Sequence, residues 1–200
     1  MSQPIILAMY SGGLDSLGML YHLLTHKDYR SHGIHVHHIH INNVEKRAQA
    51  EAIVVKAALN ELARLGFAFV YSESAIAAPA YGKKFMFDMD AIFFFAGYIC
   101  SVNPLIERVA VGRVADDNAP HLDRLRERAD QILAVFSQAK KIYPVMSQTK
   151  RQLFDSLPVS LRDKFWSCRR PVYGENTIKF CGVCKTCLEL QQHGIWQAPP

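Results

Sequence analysis

No stretch of this 200-residue chain is long and apolar enough to cross a bilayer; the longest apolar run, Ala91 to Val102, is interrupted by Gly97 and Ser101. The opening segment, Met1 to Met9, lacks the basic start of an export signal and runs straight into a glycine-containing turn. Five cysteines without an export signal argue against a disulfide framework, and the expected compartment is the cytoplasm. Internal repeats and low-complexity tracts are absent. Absent too are the lysine that follows the glycines of a Walker-type loop and the glycine spacing of a dinucleotide-binding turn. The excess of positive charge is small, 23 Lys and Arg against 18 Asp and Glu, which suits nucleotides or RNA as partners and decides for neither.

What the chain does have is apolar material, half of its residues, enough for the core of one α/β domain with a small appendage. Strand and helix patterns alternate. Pro4 to Met9 reads as a buried strand, and Leu17, Leu20, Leu23 and Leu24 give helical spacing over Leu14 to Leu24. Gly33 to Ile41 reads as a second strand, Asn43 to Leu65 as a helix closed by Gly66, and Phe67 to Tyr71 as a third strand. Asp88 to Val102 is expected to be a buried helix and Glu107 to Val111 a strand ending at Gly112. His121 to Phe136 reads as an amphipathic helix, Ile142 and Tyr143 as a brief strand, and Thr149 to Leu157 as a short helix. This alternation implies a doubly wound parallel sheet, with ligands bound at the strand C-terminal edge. The loop-rich C-terminal piece, packed against that edge, holds four of the five cysteines.

The turn after the first strand is Ser11-Gly12-Gly13-Leu14-Asp15-Ser16. Its glycines let the main chain curl around an anion, and the helix that follows aims unpaired N–H groups and its dipole at the same place. Ser11 and Ser16 add hydroxyls. Asp15, an acceptor when ionised, is suited to holding Mg2+ or ordering the loop.

Cys168, Cys181, Cys184 and Cys187 are spaced C-x12-C-x2-C-x2-C, so that four thiolates can close a tetrahedral shell around structural zinc. Spacing does not name the metal, and an iron–sulfur cluster is the rival. Cys100 lies in an apolar helix and reads as core.

The SGGLDS turn resembles the pyrophosphate loop of the N-type ATP pyrophosphatase superfamily, whose members cleave ATP between the α- and β-phosphates. Together with Ser167-Cys168-Arg169-Arg170-Pro171, Cys181-Gly182-Val183-Cys184-Lys185-Thr186-Cys187 and the lysine-bearing Ser147-Gln148-Thr149-Lys150, it resembles the 7-cyano-7-deazaguanine synthase family. That resemblance implies an adenine nucleotide α-hydrolase-like fold, with an ATP pyrophosphatase domain over residues 1–157 and a zinc-binding segment over 158–200. It implies ATP with Mg2+ as substrate and cofactor, Asp15 and Ser16 in catalysis, and residues Ser11 to Ser16 on the pyrophosphate. The implied acceptor is 7-carboxy-7-deazaguanine, adenylated and then converted with ammonia to an amide and a nitrile. Arg113, Asp117 and Lys150 are candidates for contacting phosphate or substrate.

The chain departs from the family at Asp88-Met89-Asp90, which replaces an arginine–asparagine pair, and over Asn118 to Arg128, where an aspartate–cysteine–arginine element is missing. Two other readings therefore stand beside the synthase: a modification or defence enzyme that passes the activated deazapurine to an amine of a protein or nucleic acid, and a zinc-stabilised nucleic-acid-binding module with a degenerate ATP loop. A homodimer is one assembly the sequence admits. On the second strand, alternation puts His35 and His37 on one face and His38 and His40 on the other; they read as structural histidines, with His40 or Asn42 the alternative contacts to ATP. Glu45, Arg47 and Glu51 read as a solvated helix face.

Overall fold

In a computed structural model of the chain, residues 3–77, 88–117 and 121–196 are described. Five strands form one parallel sheet in the order β3-β2-β1-β4-β5: β1 (Ile5–Met9), β2 (Gly33–Asn42), β3 (Val70–Ala77), β4 (Ile106–Val111) and β5 (Lys140–Ile142). The central strand β1 is apolar throughout because both of its faces are covered; Ile6, Leu7 and Ala8 are completely buried. Helices α1 (Leu14–Thr25), α2 (Ala48–Arg64) and α5 (Lys150–Ser156) share one core with Ile6, Ala8 and Val36. Helices α3 (Asp88–Val102) and α4 (His121–Phe136) share a second core with Leu7, Met9 and Val109. The sheet is doubly wound, as expected.

Strand order reverses between β1 and β4. The connections leaving their C-terminal ends diverge, and the crevice between them is where such sheets bind ligands. Gly112, just past β4, makes this close approach possible: a Cβ there would lie 2.7 Å from the backbone of Asp15.

Two boundaries differ from the sequence expectation. Helix α2 begins at Ala48 rather than Asn43, because Lys46 has φ 53° and the Asn43 side chain accepts from the Glu45 N–H, making a turn. The third strand runs over Val70–Ala77 rather than Phe67 to Tyr71. Phe67 and Phe69 pack against the core ahead of it, while the polar run Ser72-Glu73-Ser74 pairs with β2 as an edge strand.

After α5 the chain carries an antiparallel pair of two-residue strands, β6 (Val172–Tyr173) and β7 (Ile178–Lys179), and a helix α6 (Lys185–Gln192). Leu161, Phe165 and Leu190 from this segment enter the same core as α1 and α2. Among the described residues no helix is long and apolar enough to cross a membrane.

Candidate functional site

The turn from β1 into α1 has the conformation its glycines allow. Gly12 lies at φ +83°, and a Cβ on it would come within 2.9 Å of Val55 on α2. Gly13 is extended instead, and a Cβ there would meet nothing closer than Ser11 Oγ at 3.5 Å. Packing within the protein therefore asks for glycine at 12, whereas a Cβ at 13 would make only ordinary contacts, with Ser11, Ser167 and Trp166. Ser16 donates to the Gly13 carbonyl at 3.0 Å, which leaves Ser11 to donate across 3.0 Å to Ser16 Oγ. Two contacts from the C-terminal segment close the turn: the Trp166 N–H donates to the Gly12 carbonyl at 2.8 Å, and the Leu14 N–H donates to Ser167 Oγ at 3.3 Å.

Lys150, at the start of α5, is buried beside this turn and faces three carboxylates from three different parts of the chain. Its Nζ lies 3.2 Å from Asp117, 3.7 Å from Asp15 and 3.8 Å from Glu189. Asp116 accepts the Lys150 backbone N–H at 2.7 Å and thereby fixes the helix start. Burial pulls the Lys150 pKa down, but Asp15, Asp117 and Glu189 more than offset it, so the ammonium is held above the usual lysine value. Burial pushes Asp15 up to about 6; Lys150 opposes the rise, while Asp117, Glu189 and Asp116 add to it. One oxygen of Asp15, Oδ1, is buried with no hydrogen-bond partner among the described residues. Of the three phosphate or substrate candidates, folding brings Asp117 and Lys150 together with the turn. Arg113 instead sets its guanidinium over the Tyr143 ring, 5.6 Å from its centroid.

The expectation of a solvated face at Glu45, Arg47 and Glu51 is corrected. Arg47 and Glu51 are 9% and 4% exposed. Arg47 pairs with Glu45 at 2.8 Å, Glu51 at 2.6 Å and Asp88 at 2.5 Å, and Arg169, next to Cys168, reaches Asp88 at 3.1 Å and Glu45 at 3.3 Å. The partners come from distant segments, so no local pattern could announce this network. Asp88, one of the residues that depart from the resembled family, belongs to this network, and Asp90 makes a separate pair with Arg128 at 2.8 Å.

The histidines divide between two faces as alternation requires. His35 and His37 both bond Ser72 Oγ, at 2.7 and 2.8 Å, and His38 Nδ1 lies 2.8 Å from the Tyr10 carbonyl. Burial lowers His37 and His38 to about 4, so both are neutral near pH 7. His40 pairs with Glu73 at 3.2 Å. Cys100 is buried in the second core, and burial raises its thiol to about 11.

The four cysteines converge. Their sulfurs all lie within 4.8 Å of one another, with 3.4 Å between Cys184 and Cys187 and 3.9 Å between Cys181 and Cys187. Gly182, at φ +73°, makes the turn between Cys181 and Cys184. Backbone N–H groups point at the sulfurs: Cys181 and Arg170 donate to Cys168 (3.2 and 3.4 Å), Cys184 to Cys181 (3.3 Å) and Arg169 to Cys184 (3.5 Å). Such donors favour thiolate over thiol, as metal ligation needs. Trp166, Phe180 and Trp196 pack beside the cluster, so the donor set fits a metal shielded from water.

Sequence reasoning did not single out Ser167 as a contact to the glycine turn, nor Asp116 and Glu189 as neighbours of Lys150. Ser167 adjoins a metal-ligand candidate, and Glu189 lies two residues after Cys187 on α6; their motif context was the only signal available.

No family model and no curated sequence matches the chain. Among solved structures it is similar to the U34-tRNA thiolase NcsA from Methanococcus maripaludis, a structure that contains a 4Fe-4S cluster; the TM-score is 0.50 and the identity 18%. The match covers 76% of this chain and 56% of that one, so the chain spans little more than half the length of the thiolase. Over three-quarters of its own length, then, this chain has the fold of that enzyme.

Proposed function

We propose that the chain is an ATP-using enzyme that adenylates its substrate at the β1–α1 turn, releasing pyrophosphate and forming an acyl adenylate. The observation that carries this is a turn whose Gly13 is not required by close protein packing, beside a buried Lys150 and an Asp15 oxygen that is buried without a hydrogen-bond partner among the described residues. Protein packing does not require glycine at 13, whereas close approach of a phosphate does. Lys150 would meet the pyrophosphate as a point charge, as ammonium groups do in phosphate sites. Asp15 and Asp117 would hold Mg2+, which when bound would neutralise the departing pyrophosphate. Ser11 and Ser16 would order the turn, and Asp15 and Ser16 are the residues assigned to catalysis.

In the reaction, an acceptor carboxylate oxygen attacks the α-phosphorus and the bond to the β-phosphate breaks. An amine then attacks the mixed anhydride, loses a proton and expels AMP. The family resemblance makes 7-carboxy-7-deazaguanine the acceptor and ammonia the first amine to try; an amine on a protein or nucleic acid is the alternative. Asp88 and Asp90, tied into ion pairs, favour keeping that alternative, because they do not present the neutral and cationic pair of the resembled family.

The metal we assign is one structural zinc per chain. Sulfurs around a single ion at about 2.3 Å stand roughly 3.8 Å apart, comparable to the closest separations here, whereas a four-iron cluster seats each thiolate on its own iron and spreads them further. A zinc-bearing segment over residues 158–200 against an ATP pyrophosphatase domain over 1–157 is the corresponding division of the chain.

The test is to incubate the protein with Mg2+, ATP, 7-carboxy-7-deazaguanine and ammonia, then assay AMP and pyrophosphate and weigh the products. Formation of AMP with an amide or nitrile is the expected result. No nucleotide cleavage with any carboxylate acceptor would discard the adenylation reading, and would leave the nucleic-acid-binding module to be tested.

A further inference from the structure

The residues just before Cys168 reach the glycine turn, and their contacts are specific. Trp166 spends its backbone N–H on the Gly12 carbonyl, and Ser167 receives the N–H of Leu14, the first residue of α1. A serine oxygen that accepts one bond still has its own proton to donate. Ser167 Oγ also lies 3.8 Å from where a Cβ of Gly13 would stand, beside the glycine turn and on the same side as Ser11 Oγ.

We infer that Ser167 is a phosphate-contacting residue of this site, held there by the metal knuckle, so that nucleotide and metal affinities are coupled. The inference rests on the proposed ATP reading of the turn. Ser167 would donate its hydroxyl proton to a phosphate oxygen while Leu14 N–H turns toward the same anion or stays on Ser167.

What holds Ser167 is the cysteine cluster. Cys168, its neighbour, is fully buried, and its sulfur accepts from the Arg170 and Cys181 N–H groups. Trp166 donates its indole N–H to the Cys168 carbonyl at 2.9 Å and packs on Phe180, 4.5 Å between centroids. The segment 166–168 is thus fixed from the metal side by the Cys168 sulfur and the Trp166 indole, and from the turn side by the Trp166 N–H and the Ser167 hydroxyl. A metal that orders Cys168 orders Ser167 with it. By linkage, a nucleotide that favours the ordered turn must raise metal affinity by the same factor.

The experiment uses the full metal-loaded chain and α,β-methylene ATP with Mg2+, a probe that the proposed cleavage cannot consume. Calorimetry is run on wild type, Ser167→Ala and Ser167→Thr, with metal content and melting temperature measured on each. The expected result is binding by wild type, affinity about tenfold weaker in the alanine variant from loss of a hydrogen bond to a charged group, and recovery in the threonine variant, all at unchanged metal content. Metal release to a chelator should slow when the analogue is present in wild type, and should be indifferent to it in Ser167→Ala. Equal affinity in wild type and Ser167→Ala, or a release rate the analogue never changes, overturns the inference and leaves the ATP reading standing. A wild type that does not bind the analogue overturns both.

Discussion

Arg47 and Glu51 form a 2.6 Å ion pair that is almost fully withdrawn from water, and the Glu51 carbonyl lies 3.4 Å from where a Cβ of Gly12 would stand. With Glu45, Asp88 and Arg169 it makes a group of three carboxylates and two guanidiniums, one negative charge in excess. Burial raises the Glu51 pKa to about 7, against the pull of Arg47. Burial thus favours a proton on Glu51 below neutral pH, and the ion pair with Arg47 above it.

A pH dependence follows, with a definite sign. Between its ordinary 4.5 and about 7, Glu51 is protonated in the folded chain and ionised in the unfolded one, so stability falls as pH rises through that window. The loss from this group across that window is on the order of 3 kcal/mol. Glu51→Gln should flatten that decline and become the more stable form, relative to wild type, at pH 8 than at pH 5. Denaturant melts at both pH values measure this; parallel curves for the two proteins would mean that Glu51 is ionised in the fold.

Lys150 holds Asp15, Asp117 and Glu189 in check. Lys150→Met should lower pyrophosphate release by about 100-fold or more, the scale on which removal of a preorganised charge acts. The same variant leaves Asp15 and Asp117 without the Lys150 ammonium, so Mg2+ should raise its melting temperature more than that of wild type. Near-normal pyrophosphate release would remove Lys150 from the site.

The two glycines of the turn should respond differently. Gly12→Ala forces a side chain into positive φ and against Val55, at a cost of about 1–3 kcal/mol. Gly13→Ala meets no protein atom inside ordinary contact distance, so its melting temperature should stay near wild type while nucleotide affinity drops. Thermal melts paired with calorimetry separate the two; a Gly13→Ala variant with full affinity would show that no phosphate approaches there.

Where chemistry is contiguous, the sequence is legible. The SGGLDS turn, α3 and α4 stand where spacing put them, because each is specified by a local apolar pattern or turn. Strand β3 was obscured because an edge strand carries polar side chains, and its register is set by β2. Asn43 to Arg47 reads as helix from its residue types, yet the Asn43 side chain and the positive φ of Lys46 make it a turn. Asp15, Asp117, Lys150 and Glu189 meet only when β1, β4, α5 and α6 are assembled, and the burial of Arg47 depends on Asp88 and Arg169 in the same way. Such convergences carry no local signature.

The metal prediction turns on how much of the fold depends on the cysteines. Thiolate zinc sites supply roughly 10–16 kcal/mol in small zinc peptides, as much as the whole margin of a typical domain, about 5–15 kcal/mol. Here the core under α3 and α4 takes nothing from the cysteine segment and the core under α1 and α2 takes mainly Phe165 and Leu190 from it, while Cys168, Cys184 and Cys187 belong to a separate cluster with Trp166 and Ala50. Cys184→Ala should therefore loosen the chain from about Phe165 onward and spare the parallel sheet. Hydrogen exchange should show fast amides over residues 166–192 and near-normal protection in β1, β2 and β4. Pyrophosphate release should fall nonetheless, because Trp166 and Ser167 would no longer brace Gly12 and Leu14. Elemental analysis of the wild type should return one zinc per chain and no iron, with a colourless protein. A brown, iron-containing preparation would replace zinc with an iron–sulfur cluster, and global loss of protection in Cys184→Ala would mean that the sheet and the metal segment fold as one unit.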